Sequence, residues 1–294
     1  MPESSDLKGR VVAVTGAARG MGRAMVRGFL ADGAKVVAMD LSWEPTGFSS
    51  DNDDSFLKEL QDREDVLIST VDISDAQQVE NSYQATMEKF GAVDVLVNNA
   101  GLRQRNLFPP TGRTTTLETK DSDWEKMFGV GVFGTLKVTR RFIQPMLEQQ
   151  RGSVISVISG GAMHTSIGGA YVAQRSNSRE MPYQSAKAAT LTMMFYLADE
   201  VQGSNVAVNS LIPGNARTTG YDEQNDARRE AGMTRSRPGR VSMTPEHIVP
   251  ITLFLAKQDA NSGLTGKCFD VPTWNMEHGL GGPEEWRDPD ANPA

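Results

Sequence analysis

Tyr183 and Lys187 stand four residues apart in the run Tyr-Gln-Ser-Ala-Lys, a spacing that on a helix puts an ammonium on the same face as a phenol. Lowering a phenol from a pKa near 10 to near 7 takes about 4 kcal/mol of preferential phenolate stabilisation, part of which an adjacent cation supplies. The pair would then act as a general acid/base, passing a proton to or from a substrate oxygen. An isolated Tyr-x3-Lys is more often a core aromatic beside a solvated lysine, so the neighbouring residues have to decide. Ser159 directly follows the apolar run Ser153-Val-Ile-Ser-Val-Ile158, where a hydroxyl projects over a strand end and can polarise the same oxygen. Ser156, inside that run, is the weaker candidate. Tyr171 repeats the spacing with Arg175, but within what reads as an insertion.

A second group of residues could hold a dinucleotide. Thr15-Gly-Ala-Ala-Arg-Gly-Met-Gly22 sets glycines at 16, 20 and 22 between an apolar run and a helical pattern. Glycine there permits a tight turn and lets a pyrophosphate approach the N–H groups at a helix N-terminus, so Gly16, Arg19, Gly20, Met21 and Gly22 are candidate contacts. Asp40 ends the next apolar run, with Leu41 beside it, 24 residues after Gly16. A carboxylate at that place accepts hydrogen bonds from both adenosine ribose hydroxyls and repels a 2′-phosphate. Arg19 pulls the other way, since a guanidinium beside the glycines could grip that phosphate. Asp40 would occupy the hydroxyl site directly whereas Arg19 can turn to solvent, so the expected cofactor is NAD.

These residues need a scaffold, and the hydrophobic periodicity supplies one. Short apolar runs at 10–15, 35–39, 66–71, 93–97, 153–158, 206–211 and 267–271 read as strands. Between them, helical patterns fall at 21–31, 55–62, 75–90, 122–149, 182–201 and 245–257. Repeated β-α alternation predicts a parallel sheet covered by helices on both faces. There is no internal repeat and no long linker, so residues 1–294 are expected to form one α/β domain. Three stretches interrupt the rhythm, at 102–120, 160–181 and 219–241, and loops this long inside a domain usually serve the site. The first interruption flanks the motifs, the second would be an active-site insertion and the third a substrate loop. The tail, 273–294, is rich in Gly, Pro and acid and is expected to be non-helical.

Composition removes several classes of function. The net charge of −7 leaves no global basic surface for nucleic acid. The mean hydropathy of −0.39 and the lack of an 18-residue apolar run exclude an ordinary membrane-spanning chain. One cysteine, Cys268, with His164, His247 and His278, gives no metal-binding cluster and no internal disulfide. The polar N-terminus lacks a secretory pattern, and a cytoplasmic setting is expected.

The motifs also occur in a recognisable order. Thr15-Gly-x3-Gly-x-Gly22, Asp72, Asn98-Asn-Ala-Gly101, Ser159, Tyr183-Gln-Ser-Ala-Lys187 and Pro213-Gly214 together resemble the short-chain dehydrogenase/reductase family over about residues 7 to 271. The resemblance implies a single doubly wound, Rossmann-type sheet of about seven parallel strands, with NAD(P) at their carboxyl ends. By that resemblance Asp72 and Ile73 face adenine, Asn98, Ala100 and Gly101 line the cofactor, and Ile212, Pro213, Gly214 and Thr218 hold the nicotinamide end. It also makes Tyr183 the general acid/base, has Lys187 tune Tyr183 and bind the nicotinamide ribose, and gives the substrate oxygen to Ser159. A homotetramer paired through the helices at 122–149 and 182–201 is implied as well.

Two departures stand out. Gly131 occupies the place of the family's helix asparagine, whose main-chain carbonyl would hold a water leading to Lys187. Pro272-Thr-Trp274 replaces an Asp-Gly-Gly. The expected activity is NAD(H)-dependent interconversion of a secondary alcohol and a ketone. A lyase or dehalogenase on the same fold, or a cofactor-binding protein with little turnover, are the alternatives. Leu102, Phe108, Met163, Met181, Trp274 and Trp286 suggest a bulky apolar substrate, while Arg103, Arg105 and Arg113 could form a carboxylate clamp instead.

Overall fold

The strands are nearly continuous runs of Val, Ile, Leu and Ala because both faces of the sheet are covered. In the computed structural model, which describes residues 7–48, 55–102, 116–162, 181–233 and 241–291, seven strands pair in the order β3-β2-β1-β4-β5-β6-β7. They are β1 (Val11–Thr15), β2 (Lys35–Asp40), β3 (Val66–Thr70), β4 (Val95–Asn98), β5 (Gly152–Val157), β6 (Val206–Ile212) and β7 (Lys267–Asp270). Every pairing is parallel. The fold is therefore the Rossmann-type doubly wound sheet that the sequence implied, with its reversal of direction between β1 and β4.

Alternation along each strand builds two cores. Val12, Val14, Val36, Val95 and Ile155 face the helices Gly20–Ala31 and Val249–Ala256. Val11, Ala13, Val37, Leu96 and Val154 face Ala76–Phe90, Thr135–Phe142 and Tyr183–Glu200. The start of the central strands is fixed by one buried carboxylate. Asp94 accepts from the Val11 N–H at 2.9 Å and from Arg151 at 2.9 Å, which ties β1, β4 and β5 together.

The structure corrects two expectations. The helix expected over 122–149 is broken into Asp121–Phe128, a π-helical turn Gly129–Gly134, Thr135–Phe142 and Gln144–Glu148. Glycines at 129, 131 and 134 weaken the regular ladder, and Gly134 is required by packing, since a Cβ there would lie 2.9 Å from Ile73 Cγ1. The tail is not wholly irregular either: Val271–Glu277 is helical. Asp270 caps it by accepting from Thr273 N–H and Oγ1, and Pro272 sits in the first turn, where its missing N–H costs nothing.

Candidate active site

The cleft opens where β1 and β4 diverge, and its floor is locked before any ligand is considered. Thr15, the last residue of β1, accepts from the N–H groups of Asn99 and Ala100, each at 3.0 Å. Asn99 answers by donating Nδ2 to the carbonyls of Thr15 and Gly16, both at 3.0 Å. Gly16 has φ +66° and a Cβ on it would stand 2.9 Å from Ala100 Cα, so only glycine suits the turn. Gly22 answers a different need: its Cβ would meet the Gly16 carbonyl at 1.9 Å. It seats the helix under the turn and does not line the cleft.

The cavity has a volume of about 1000 Å³ and runs along the strand carboxyl ends. Gly16, Arg19, Gly20 and Met21 line one end with Asp40 and Leu41. Asp72, Ile73, Ala100 and Gly101 form the middle. Ser159, Tyr183, Lys187, Ile212, Pro213 and Gly214 close the other end, while Thr218, which the resemblance gave to the nicotinamide end, stands against Gly20. Asn98, like Gly22, does not line the cavity. Its amide points to the opposite side of the strand, donating to Thr139 Oγ1 at 2.9 Å and Ser156 Oγ at 3.2 Å in the buried core. Successive residues of a strand face opposite ways, so the cleft receives Asn99 instead. The Thr15–Asn99 clasp has no signal in the sequence beyond the place of Thr15 at the head of the glycine motif.

Asp40 lies mostly buried at the end of β2, accepting from the Ala18 N–H at 2.9 Å and the Ser42 N–H at 3.3 Å. The Arg19 guanidinium is 3.7 Å away. Burial pushes the Asp40 carboxyl above its ordinary range, against those N–H groups and the Arg19 charge, which hold it down. Arg19 also donates to the Glu44 carbonyl, so it is anchored across the cleft rim and not turned to solvent as expected.

At the other end, Tyr183 opens the helix Tyr183–Glu200 and Lys187 follows one turn later. Lys187 Nζ lies 5.9 Å from the Tyr183 ring centre and donates to the Val157 carbonyl at 2.8 Å. Burial pushes its pKa down to about 8. Ser159 lies just past β5 on the same cavity. The carbonyl of Gly131 differs from the expectation. It accepts from Thr135 Oγ1 at 3.0 Å, and Thr190 Oγ1 lies 2.9 Å from it, a hydroxyl shared with the Ala186 carbonyl. Two hydroxyls of the chain already stand at the carbonyl that the resemblance gave to a water.

Pro213 is supported from below by a residue the sequence did not single out. His247 is fully buried, its Nε2 against the Pro213 carbonyl and its Nδ1 2.7 Å from the Thr244 carbonyl. Burial lowers its pKa below the usual histidine value despite both carbonyls.

Of the apolar cover, Leu102 lines the cleft. Met181 instead receives the Ser185 hydroxyl on its sulfur at the start of the Tyr183 helix. Trp274 packs in the core, stacked on His278 with ring centres 4.0 Å apart and 5.4 Å from Phe254, and Trp286 donates to the Leu280 carbonyl. Neither tryptophan covers the site. Phe108, Met163, Tyr171, Arg175, Arg103, Arg105 and Arg113 lie outside the described residues, as does most of the insertion at 160–181. The stretch 219–241, expected to be a substrate loop, is helical over Thr219–Glu230, and this helix brings Tyr221 and Gln224 to the cleft.

The sequence pattern of the family described as short chain dehydrogenase matches residues 10–229. The chain is a short-chain dehydrogenase. Among relatives of this short-chain dehydrogenase is the fluoren-9-ol dehydrogenase of Terrabacter sp. (strain DBF63), 46% identical over 289 residues, spanning 98% of this chain and 78% of the relative. The 3-oxoacyl-acyl-carrier-protein reductase FabG of Thermotoga maritima is 31% identical over 90% of this chain and 97% of its own. Among solved structures, a 3-ketoacyl-(acyl-carrier-protein) reductase from Brucella melitensis complexed with NADH superposes with a TM-score of 0.69. That reductase is 25% identical, over 90% of this chain and 97% of the other.

Proposed function

We propose that this short-chain dehydrogenase interconverts a bulky, largely apolar secondary alcohol and its ketone with NAD(H). The observation that carries the reading is the buried Lys187 beside Tyr183, at the end of a cleft whose other end holds Asp40. The residues present fit a dinucleotide. Gly16 and Gly20 line the cleft with no side chain to obstruct it, and Thr219 Oγ1, buried on the cleft wall, has no hydrogen-bond partner among the described residues. The 46% identical relative is named for fluoren-9-ol, a secondary alcohol flanked by two aryl rings. The dehydrogenases and reductases among the relatives favour redox chemistry over a lyase or dehalogenase.

When bound, NAD supplies the hydride acceptor and NADH the donor. Asp40, on the lone pairs that the Ala18 and Ser42 N–H groups leave open, would hold the adenosine ribose. Ser159 donates to the substrate oxygen, and Tyr183 takes the hydroxyl proton during oxidation or returns it during reduction. Lys187 stabilises the phenolate and would help to hold the nicotinamide ribose. Because Gly131 O already faces two hydroxyls, the proton is expected to leave Tyr183 through the cleft and not through the helix pair.

Two measurements test this reading. Titration should show tighter binding of NAD(H) than NADP(H), and Asp40→Ala should reduce the preference by about tenfold or more, through loss of like-charge repulsion. Tighter NADP(H) binding, or a ratio unchanged in Asp40→Ala, would give the site to Arg19. On a panel of alcohols, kcat/KM is expected to be greatest for fluoren-9-ol and other bulky aryl carbinols. Best activity on a two- or three-carbon alcohol would overturn the bulky substrate, and selective activity on acids would favour the arginine clamp.

A homotetramer in the cytoplasm is part of the same proposal. Phe133, Phe195 and Tyr196 are exposed at 54%, 40% and 67% on the helices expected to pair, and apolar surface of this kind favours burial against another copy. A solution mass of one chain would overturn it.

A further inference from the structure

Past the last helix the chain returns to the mouth of the cleft. Met243 bridges Ala216 on one side and Arg287 on the other. Its ladder is closed by Arg217 N–H to Met243 O, Thr244 N–H to Trp286 O and Asp288 N–H to Ser242 O, each at 2.8 Å. The tail is thereby laid, through one intervening strand, against the segment that leads from Pro213 and Gly214 into the helix Thr219–Glu230.

Arg217 is the crossing point. It is 9% exposed, with Nε 3.2 Å from Asp222 and Nη1 3.3 Å from Asp288 and 3.1 Å from Asp290. A guanidinium is a planar fork of five donors, so one side can hold the helix while the other holds the tail. Asp288 is itself shielded, and its Oδ1 also accepts from the N–H groups of Asp290 and Ala291, both at 2.9 Å. A second link joins the same two elements: the Tyr221 hydroxyl donates to the Ala291 carbonyl at 3.4 Å.

We propose that Arg217 is a positioning residue through which the C-terminal strap, by way of Asp288, sets the wall of the cofactor cleft. The inference rests on the proposed NAD(H) site. The route is one peptide unit long. Thr218 caps the helix by accepting from the Tyr221 N–H at 3.3 Å, and its side chain is what a Cβ on Gly20 would strike at 3.0 Å. Thr218, Thr219 and Tyr221 all face the cleft. Removing the Asp288 charge leaves a shielded guanidinium less compensated, so it must shift toward solvent and carry Thr218 with it. Asp290, 79% exposed, contributes little because water screens it.

The test uses the full-length protein, with NADH bound in a fluorescence titration and hydrogen exchange followed over 219–230. Asp288→Asn keeps an Oδ1 to accept from Asp290 and Ala291 and removes the charge. It is expected to weaken NADH binding about tenfold and to speed exchange in 219–230, with kcat at saturating cofactor within about twofold of wild type. Asp290→Asn should change neither readout. Tyr221→Phe cuts the second link and should weaken binding about threefold, which carries the test if Asp288→Asn does not fold. Wild-type affinity and exchange in Asp288→Asn would overturn the proposal, as would faster exchange spread equally over the whole chain. Failure of the wild-type protein to bind NADH refutes the cofactor reading, and exchange over 219–230 then decides on the strap alone.

Discussion

Lys187→Met is expected to abolish turnover and to make the protein more stable. Folding takes this ammonium out of water and lowers its pKa from the ordinary 10.5 to about 8, which corresponds to a cost of about 3 kcal/mol at neutral pH. Methionine fills much of the same volume without charge. The Val157 carbonyl loses its donor, at about 1–2 kcal/mol, so a net gain of about 1–2 kcal/mol should remain. For a chain of this size that is a rise in Tm of a few degrees.

The sign of the pH dependence follows from the same numbers. The folded-state pKa lies below the unfolded one, so the unfolded chain holds the extra proton between about pH 8 and 10.5. Stability from this group therefore rises with pH across that window, and the advantage of Lys187→Met should shrink as pH climbs through it. Urea unfolding of both proteins without cofactor, at pH 7 and pH 10, measures the difference. A variant less stable than wild type at pH 7 would show that the Nζ–Val157 bond outweighs the desolvation. The loss of turnover, about 1000-fold or more, reflects the missing charge beside the phenol.

Tyr183→Phe separates chemistry from binding. The ring stays in place and only the transferable proton goes, so kcat is expected to fall about 1000-fold or more while the NADH dissociation constant stays within about threefold. Tyr171→Phe should be nearly silent in both. Single-turnover kinetics with pre-bound cofactor would place the loss in the chemical step. Retained activity in Tyr183→Phe would move the acid/base role to another residue and end the assignment of the Tyr183–Glu200 helix as the active-site helix.

The frame of this protein was legible because its strands are short apolar runs bounded by glycine and acids, and parallel strands buried on both faces must look that way. The same simplicity hid the π-helical turn. Apolar spacing from Met127 to Phe142 is regular enough to suggest one helix, and of the three glycines inside it Gly134 is demanded by Ile73, which lies far away in sequence. The resemblance implied Asn98 at the cofactor, but Asn98 and Asn99 stand in one motif and only the strand's pleat tells which of them faces the cleft. The helix at Val271–Glu277 did carry a local signal, Asp270 followed by Pro272, which the acid- and glycine-rich tail outweighed. Arg217 had none. Its partners Asp288 and Asp290 lie 71 and 73 residues downstream, and no periodicity connects residues that far apart.

The pairing of β1 with β4 also has a bearing on how the protein comes into being. Val12 lies opposite Val95, and the two halves of the cleft floor, Gly16 and Ala100, meet only through that register. On the ribosome the glycine turn is made early, yet it has nothing to close against until the chain has grown past residue 100. Joining strands so distant in sequence carries the loop-closure entropy that slows parallel folds. A nascent chain can therefore close this floor only once β4 has paired with β1, and the proposed cofactor, once the rest of the cleft is in place, would act as a folding ligand. At a free concentration 100 times the dissociation constant it would add about 2.7 kcal/mol to whatever the sheet provides alone.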